Sequence, residues 1–217
     1  RCIWNRTGAE KMGVSVEVTG LRQVERRLGA MKQKAPKALK LAINDTARKA
    51  RSRLAKEAKK TYAVKAAGFH KAMEIKFATN SRQEATIRSR GKKVPLGKYS
   101  MRDGTLGPEV YYNPTLHREQ VGKGGMGASG KILKSSGFKG SQTAELKWFV
   151  AKMKSGHKGI FQRTSTGSRK IKEKMGLSIP QMLGSEKHVY GIVEPHIKSE
   201  LKEALDRHVL RALRGEI

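Results

Sequence analysis

Residues 36–60 read PKALKLAINDTARKARSRLAKEAKK, in which Leu39, Ile43, Ala47, Ala50, Leu54 and Ala58 recur at steps of four and three. That spacing lays one apolar stripe along an α-helix of about six or seven turns. Pro36 falls in the first turn, where the N–H it lacks is one the helix leaves unpaired anyway. Beside the stripe run Lys49, Arg53, Lys56 and Lys60. They read either as a solvated flank or as a row that contacts phosphates or an acidic partner.

Outward from this helix the period changes. Upstream, Val14, Val16 and Val18 alternate with Ser15, Glu17 and Thr19, the pattern of a half-buried strand, which Gly20 ends. Leu21, Val24, Leu28 and Met31 then return to helical spacing. The alternation begins at Met12, which reads as the natural start, and residues 1–11 are set apart as a non-native or disordered leader. Downstream, residues 62–73 form a short helix or turn around Val64, Ala67 and Phe69. Ile75 and Phe77, then Ala85 and Ile87, make two strands joined by the polar residues 80–83. Residues 95–99 make a further edge. Residues 145–153 and 160–163 flank a Gly-containing turn and predict a second hairpin.

Residues 160–183, IFQRTSTGSRKIKEKMGLSIPQML, follow that hairpin. Ile160, Phe161, Ile171, Met175, Leu177, Ile179, Met182 and Leu183 are spaced irregularly and broken by Gly167, Gly176 and Pro180. A chain that turns repeatedly while pinned to a core has this pattern, and it predicts a docking element. Phe161, Arg163, Leu177, Ile179, Pro180, Met182 and Leu183 are its candidate contacts, with Arg169 and Lys170 as further bases for DNA or an acidic partner. Over residues 184–217, Val189, Ile192, Val193, Ile197, Leu201, Leu205, Val209, Ala212 and Leu213 hold helical spacing. Pro195 either kinks this helix or marks its start. By contrast, residues 118–142 include GKGGMGASGKILKSSGFKG, have no usable period, and read as a mobile Gly- and Lys-rich loop.

The fold these elements predict is α+β: antiparallel β hairpins packed on a long N-terminal helix, one domain over residues 12–183, then a C-terminal helix. Forty-seven Lys and Arg face eighteen Asp and Glu, a net charge of +29. Residues 1–79 carry 20 bases and 6 acids, residues 80–180 carry 21 and 6, and residues 181–217 carry 6 of each. A chain so charged seeks phosphates or acidic surfaces, whereas its neutral end packs or oligomerises. Cys2 is the one cysteine, so an intrachain disulfide and a cysteine zinc site are both excluded. No apolar run approaches the roughly 20 residues that span a bilayer.

Catalytic groupings are missing. GKGGMGASGK departs from the GxxxxGK[ST] order of a phosphate loop. His188 and His196 are eight apart, without the i, i+4 pair and glutamate of a helical zinc site. Glu200, Glu203 and Asp206 read as solvent-facing partners of Lys198, Lys202 and Arg207. No GxSxG is present. No cofactor, metal or catalytic residue is assigned, and an enzyme is disfavoured.

Several islands together resemble the minor tail protein Z family of long-tailed bacteriophages. They are the Val-rich strand with Gly20-Leu21, Asn44-Asp45-Thr46-Ala47 in the long helix, Tyr62-Ala63-Val64-Lys65, and Phe149-Val150. The clearest are Gly159-Ile160-Phe161-Gln162-Arg163, Ile171-Lys172-Glu173 and Gly176-Leu177-Ser178-Ile179-Pro180-Gln181-Met182-Leu183. The resemblance implies a structural virion component that completes the tail at the tube or neck junction, in a homo-oligomeric ring among other tail or neck proteins. Its basic face would meet acidic tail proteins or the packaged DNA end, with assembly in the host cytoplasm and no membrane partner. The alternative from charge alone is a stand-alone basic nucleic-acid-binding protein, and a small hydrolase or nuclease stands third.

Overall fold

The computed structural model describes residues 2–6, 11–17, 21–64, 68–99, 110–113, 118–121, 129–139, 148–165 and 170–216. In chain order its elements are β1 (Cys2–Arg6), β2 (Lys11–Glu17), α1 (Leu21–Leu28), a 3-10 turn (Gly29–Lys34), α2 (Ala35–Thr61), β3 (Met73–Lys76), β4 (Glu84–Arg90) and β5 (Lys93–Pro95). A 3-10 turn (Leu96–Lys98) leads to β6 (Val110–Asn113), β7 (Arg118–Val121), β8 (Ser129–Leu133), β9 (Ser136–Lys139), β10 (Trp148–Lys152) and β11 (Lys158–Arg163). The chain ends with β12 (Ile171–Glu173), β13 (Met175–Ser178), α3 (Ile179–Leu183) and α4 (Tyr190–Leu213). Helices and antiparallel sheets together make the expected α+β class.

Two compact units divide the chain. The first takes residues 1–58, 68–92 and 178–217, and the second takes residues 59–67 and 93–177. The first unit is therefore discontinuous in sequence, and α4 belongs to it together with α1 and most of α2.

In the first unit the sheet order is β1-β2-β4-β3, antiparallel throughout. The expected hairpin pairs Ile75 with Ile87. Along β4, buried Ala85, Ile87 and Ser89 alternate with more exposed Thr86, Arg88 and Arg90. Residues 2–6, which the sequence reading set aside, form β1 on the edge of β2, Trp4 opposite Val14. The edge of β2 offers N–H and C=O groups that another extended segment satisfies.

Every residue of the predicted stripe on α2 is buried, and so are Ala38, Ala42 and Thr46 on another side of the helix. The first half of α2 is thus covered on more than one face, which its alanines allow by letting neighbours approach closely. Leu39 packs with Val24 and Leu28 of α1 and Val209 and Ala212 of α4. Ile43 and Ala47 join Ala78 and Ala85 in a second cluster, against which Ile75 and Leu201 pack. Burying such side chains contributes about 1.5–3 kcal/mol each for the larger ones. Pro195 lies inside α4, five residues after its start, so it marks neither the start nor the first turn.

In the second unit the sheet order is β12-β11-β10-β7-β6. The predicted hairpin is present as β10 and β11, with Phe149 opposite Phe161. Residues 118–142 are not simply a loop: they include β7, and β8 and β9 pair with each other. The backbone holds this hairpin to the chain just after α2, as Lys134 N–H donates to the Thr61 carbonyl and Ala63 N–H to the Ile132 carbonyl, both at 2.9 Å. The Ser-Gly pairs that open β8 and β9 hide these strands from periodicity, because pairing is made by the backbone and not by side chains. Residues 122–128 and 140–147 lie outside the described residues.

Candidate docking segment and basic surface

The 160–183 segment begins on β11. Ile160 is fully buried and Phe161 is only 6% exposed. The Phe161 ring meets Phe149 and His157 at centroid distances of 6.4 Å, edge-on to the histidine. His157 Nε2 lies 2.8 Å from Glu173 Oε1, tying the β10–β11 turn to β12. Gly159 has no room for a side chain, since a Cβ there would stand 2.6 Å from the same oxygen. Lys174 Nζ sits 5.0 Å above the Trp148 ring, a cation–π contact.

Beyond β12 the chain closes on Tyr99. The Tyr99 ring is fully buried, and its hydroxyl donates to the Leu177 carbonyl at 3.1 Å. Burial pushes the phenol up to about 12. Gly176 is required here, because a Cβ would approach the Tyr99 ring to 2.7 Å. Ser178-Ile179-Pro180-Gln181 is a capping box for α3. Gln181 Oε1 accepts from the Ser178 N–H at 2.9 Å, and Ser178 Oγ accepts from the Gln181 N–H at 3.4 Å. The Gly-Leu-Ser-Ile-Pro-Gln-Met-Leu run is therefore a local folding device: a glycine for a ring, a cap, and two anchors, Met182 and Leu183, with no exposure at all.

Phe161, Pro180, Met182 and Leu183 are buried, and Leu177 and Ile179 are half-buried. Arg163 is half-buried. Among the described residues of this segment, the apolar side chains that face solvent are Ile171 at 39% and Met175 at 48%, beside exposed Lys170 and Lys172. Both apolar ones lie in the second unit. Periodicity misses them because in a strand the sequence alone does not say which face is covered.

Lys49, Arg53, Lys56 and Lys60 all lie on α2 and all are exposed. Arg53 has a second duty: its Nε donates to Oε1 of Glu200, a residue only 6% exposed. Glu200 is thus buried and not the surface residue expected, and Asp206 pairs with Arg27 of α1 at 2.6 Å in place of a neighbour on its own helix. Local spacing cannot reveal partners that the fold brings in from elsewhere in the chain. Lys60 is in the part of α2 that belongs to the second unit, as is Lys170, whose carbonyl accepts from the Thr164 N–H at 3.1 Å. Arg169 lies outside the described residues.

Asn44-Asp45-Thr46 is likewise structural. Asn44 grips Ala78, two residues after β3, from both sides, its Oδ1 accepting from the Ala78 N–H at 2.8 Å and its Nδ2 donating to the Ala78 carbonyl at 3.2 Å. Asp45 accepts from His208 at 2.9 Å, and Thr46 donates back to the Ala42 carbonyl at 2.8 Å. Among the described residues, no group of three or more His, Cys, Asp or Glu is placed to hold a metal ion, and no helix is long and apolar enough to cross a membrane.

No curated protein and no solved structure matches the chain. The family model for prophage minor tail protein Z matches residues 18–215, which include the Asn44 clamp, the Phe161 hairpin and the Ser178 cap. The chain belongs to the prophage minor tail protein Z family.

Proposed function

We propose that this protein is a structural component of a bacteriophage tail, a completion part that assembles at the tail tube or neck junction and performs no catalysis. The observation that carries this reading is the family match over residues 18–215. The residues that carry the resemblance support a scaffold and not a reaction: Asn44, Asp45, Ser178 and Gln181 hold backbone or helices together, and Gly176 makes room for the Tyr99 ring. The partners are other tail or neck proteins and further copies of the chain in a ring, and its destination is the virion after assembly in the host cytoplasm. Ile171 and Met175, exposed beside the anchors that fix their strands, are the proposed contact on the 160–183 segment.

Two measurements test this. Mass spectrometry of purified particles is expected to find the chain in tails, and deletion of its gene is expected to leave particles that no longer infect. A normal yield of infectious particles without the chain overturns the reading.

A further inference from the structure

The second half of α2 shows solvent a single chemistry. Between residues 48 and 58 its exposed side chains are Arg48, Lys49, Ser52, Arg53 and Lys56, without an acid or an apolar residue among them. At 3.6 residues per turn, Lys49, Arg53 and Lys56 fall within an arc of roughly 60° and along about 10 Å of axis. Arg48 is held in place by Asp45 at 3.0 Å and lies over the Phe77 ring at 5.0 Å, and Arg53 is held by Glu200. Two bases are therefore fixed by structure, while among the described residues Lys49 and Lys56 have no carboxylate partner. Fixed and free cations on one rigid helix make a short positive rail.

Two kinds of polyanion are candidates for such a rail, an acidic protein and a nucleic acid. A protein footprint needs a desolvated centre with aromatic or aliphatic anchors, and lysine is depleted there. Among its own exposed residues this stretch of α2 has no such anchor, and the exposed Phe77 ring beside it lies under the Arg48 guanidinium. A duplex backbone asks for something else: Lys, Arg and Ser side chains directed at phosphate oxygens, on a rod that carries one charge per roughly 1.7 Å of axis. The exposed residues of 48–58 are Lys, Arg and Ser alone. We propose that this face of α2 binds the phosphate backbone of duplex DNA, irrespective of base sequence. The contact is separable from the tail role, since it rests on the surface of one helix, and either can fail while the other stands.

The test uses the full chain and a fluorescent duplex of mixed sequence, titrated by anisotropy over a salt series. Each phosphate contact releases counterions, so neutralising two contacts in Lys49→Gln/Lys56→Gln is expected to lower the log–log salt slope by about 2 units. Arg22→Gln/Arg26→Gln, which removes the same charge from exposed positions on α1, is expected to leave the slope nearly as it was. Thermal unfolding of both variants should match the parent. An unchanged slope in the α2 variant overturns the proposal, as does an equal loss in the α1 variant, which would mean net charge and no site. Binding of polyglutamate that the α2 variant loses, without binding of DNA, overturns it in favour of an acidic protein partner.

Discussion

His208 on α4 donates through Nε2 to the Asp45 carboxylate on α2 at 2.9 Å, and eight residues further along α2 Arg53 meets Glu200, eight residues earlier on α4. The two pairs share one antiparallel register. A carboxylate has no proton to give, so Nε2 is the donor, and Nδ1 is buried without a hydrogen-bond partner among the described residues. Both clamps join the two helices, so sliding one helix past the other by a turn breaks both together.

Removing one side of the Arg53–Glu200 pair leaves a carboxylate in a nearly closed site. Arg53→Ala is expected to destabilise the protein by about 2 kcal/mol, at or below the low end for buried pairs because Arg53 itself is half in solvent. Replacing both residues by Leu restores most of that loss. Urea denaturation of the two variants checks the contrast.

The capping box at Ser178 makes a smaller and cleaner prediction. Ser178→Ala removes the acceptor for the Gln181 N–H, and is expected to cost about 1 kcal/mol. The protein remains folded, and the loss appears as a shift in the midpoint of denaturation without a change in slope.

Tyr99 ties stability to alkaline pH. Its phenol is raised from 10.0 to about 12, so the folded state keeps the proton where the unfolded chain releases it. The raised group contributes stability that is fully present below pH 10 and is lost as pH climbs through the folded value, an effect on the order of 2 kcal/mol. Tyr99→Phe is expected to abolish this dependence, while costing about 1 kcal/mol at neutral pH through the lost bond to Leu177. Denaturation followed between neutral and strongly alkaline pH tests both parts.

Core anchor and contact residue separate by their outcomes. Phe161→Asp buries an unpaired charge and is expected to leave little soluble protein. Met175→Asp, at an exposed position, is expected to give a normal circular dichroism spectrum and yet fail to restore infectivity to a phage lacking the gene. If Met175→Asp complements fully, Met175 does not contact a partner.

Much of this architecture is legible in the sequence where one periodic pattern meets one surface. Leu39, Ile43 and Leu54 announce α2, and Ile75 and Ile87 announce a hairpin, because burial and period coincide there. Val14 and Val16 mark β2 for the same reason. What stays hidden is pairing made by the backbone, as in β1, β8 and β9, where side chains carry no period. Partners distant in sequence are hidden too: nothing near Glu200 points to Arg53, and nothing near Asp45 points to His208. For the docking segment, an irregular apolar pattern says that residues are pinned without saying which are inside. Phe161, Met182 and Leu183 went to the core, and Ile171 and Met175 were left outside.

The discontinuity of the first unit sets a timetable for synthesis. Val24, Leu28 and Leu39 leave the ribosome well before Val209 and Ala212, which pack with them. Residues 93–177 belong to the other unit and are complete before that closing helix exists. The protein therefore holds its own early core open until the final turns of α4 arrive. A nascent chain halted at residue 183 should expose that core to proteases, and release of the last thirty or so residues should close it, the order expected when a later segment completes an earlier unit.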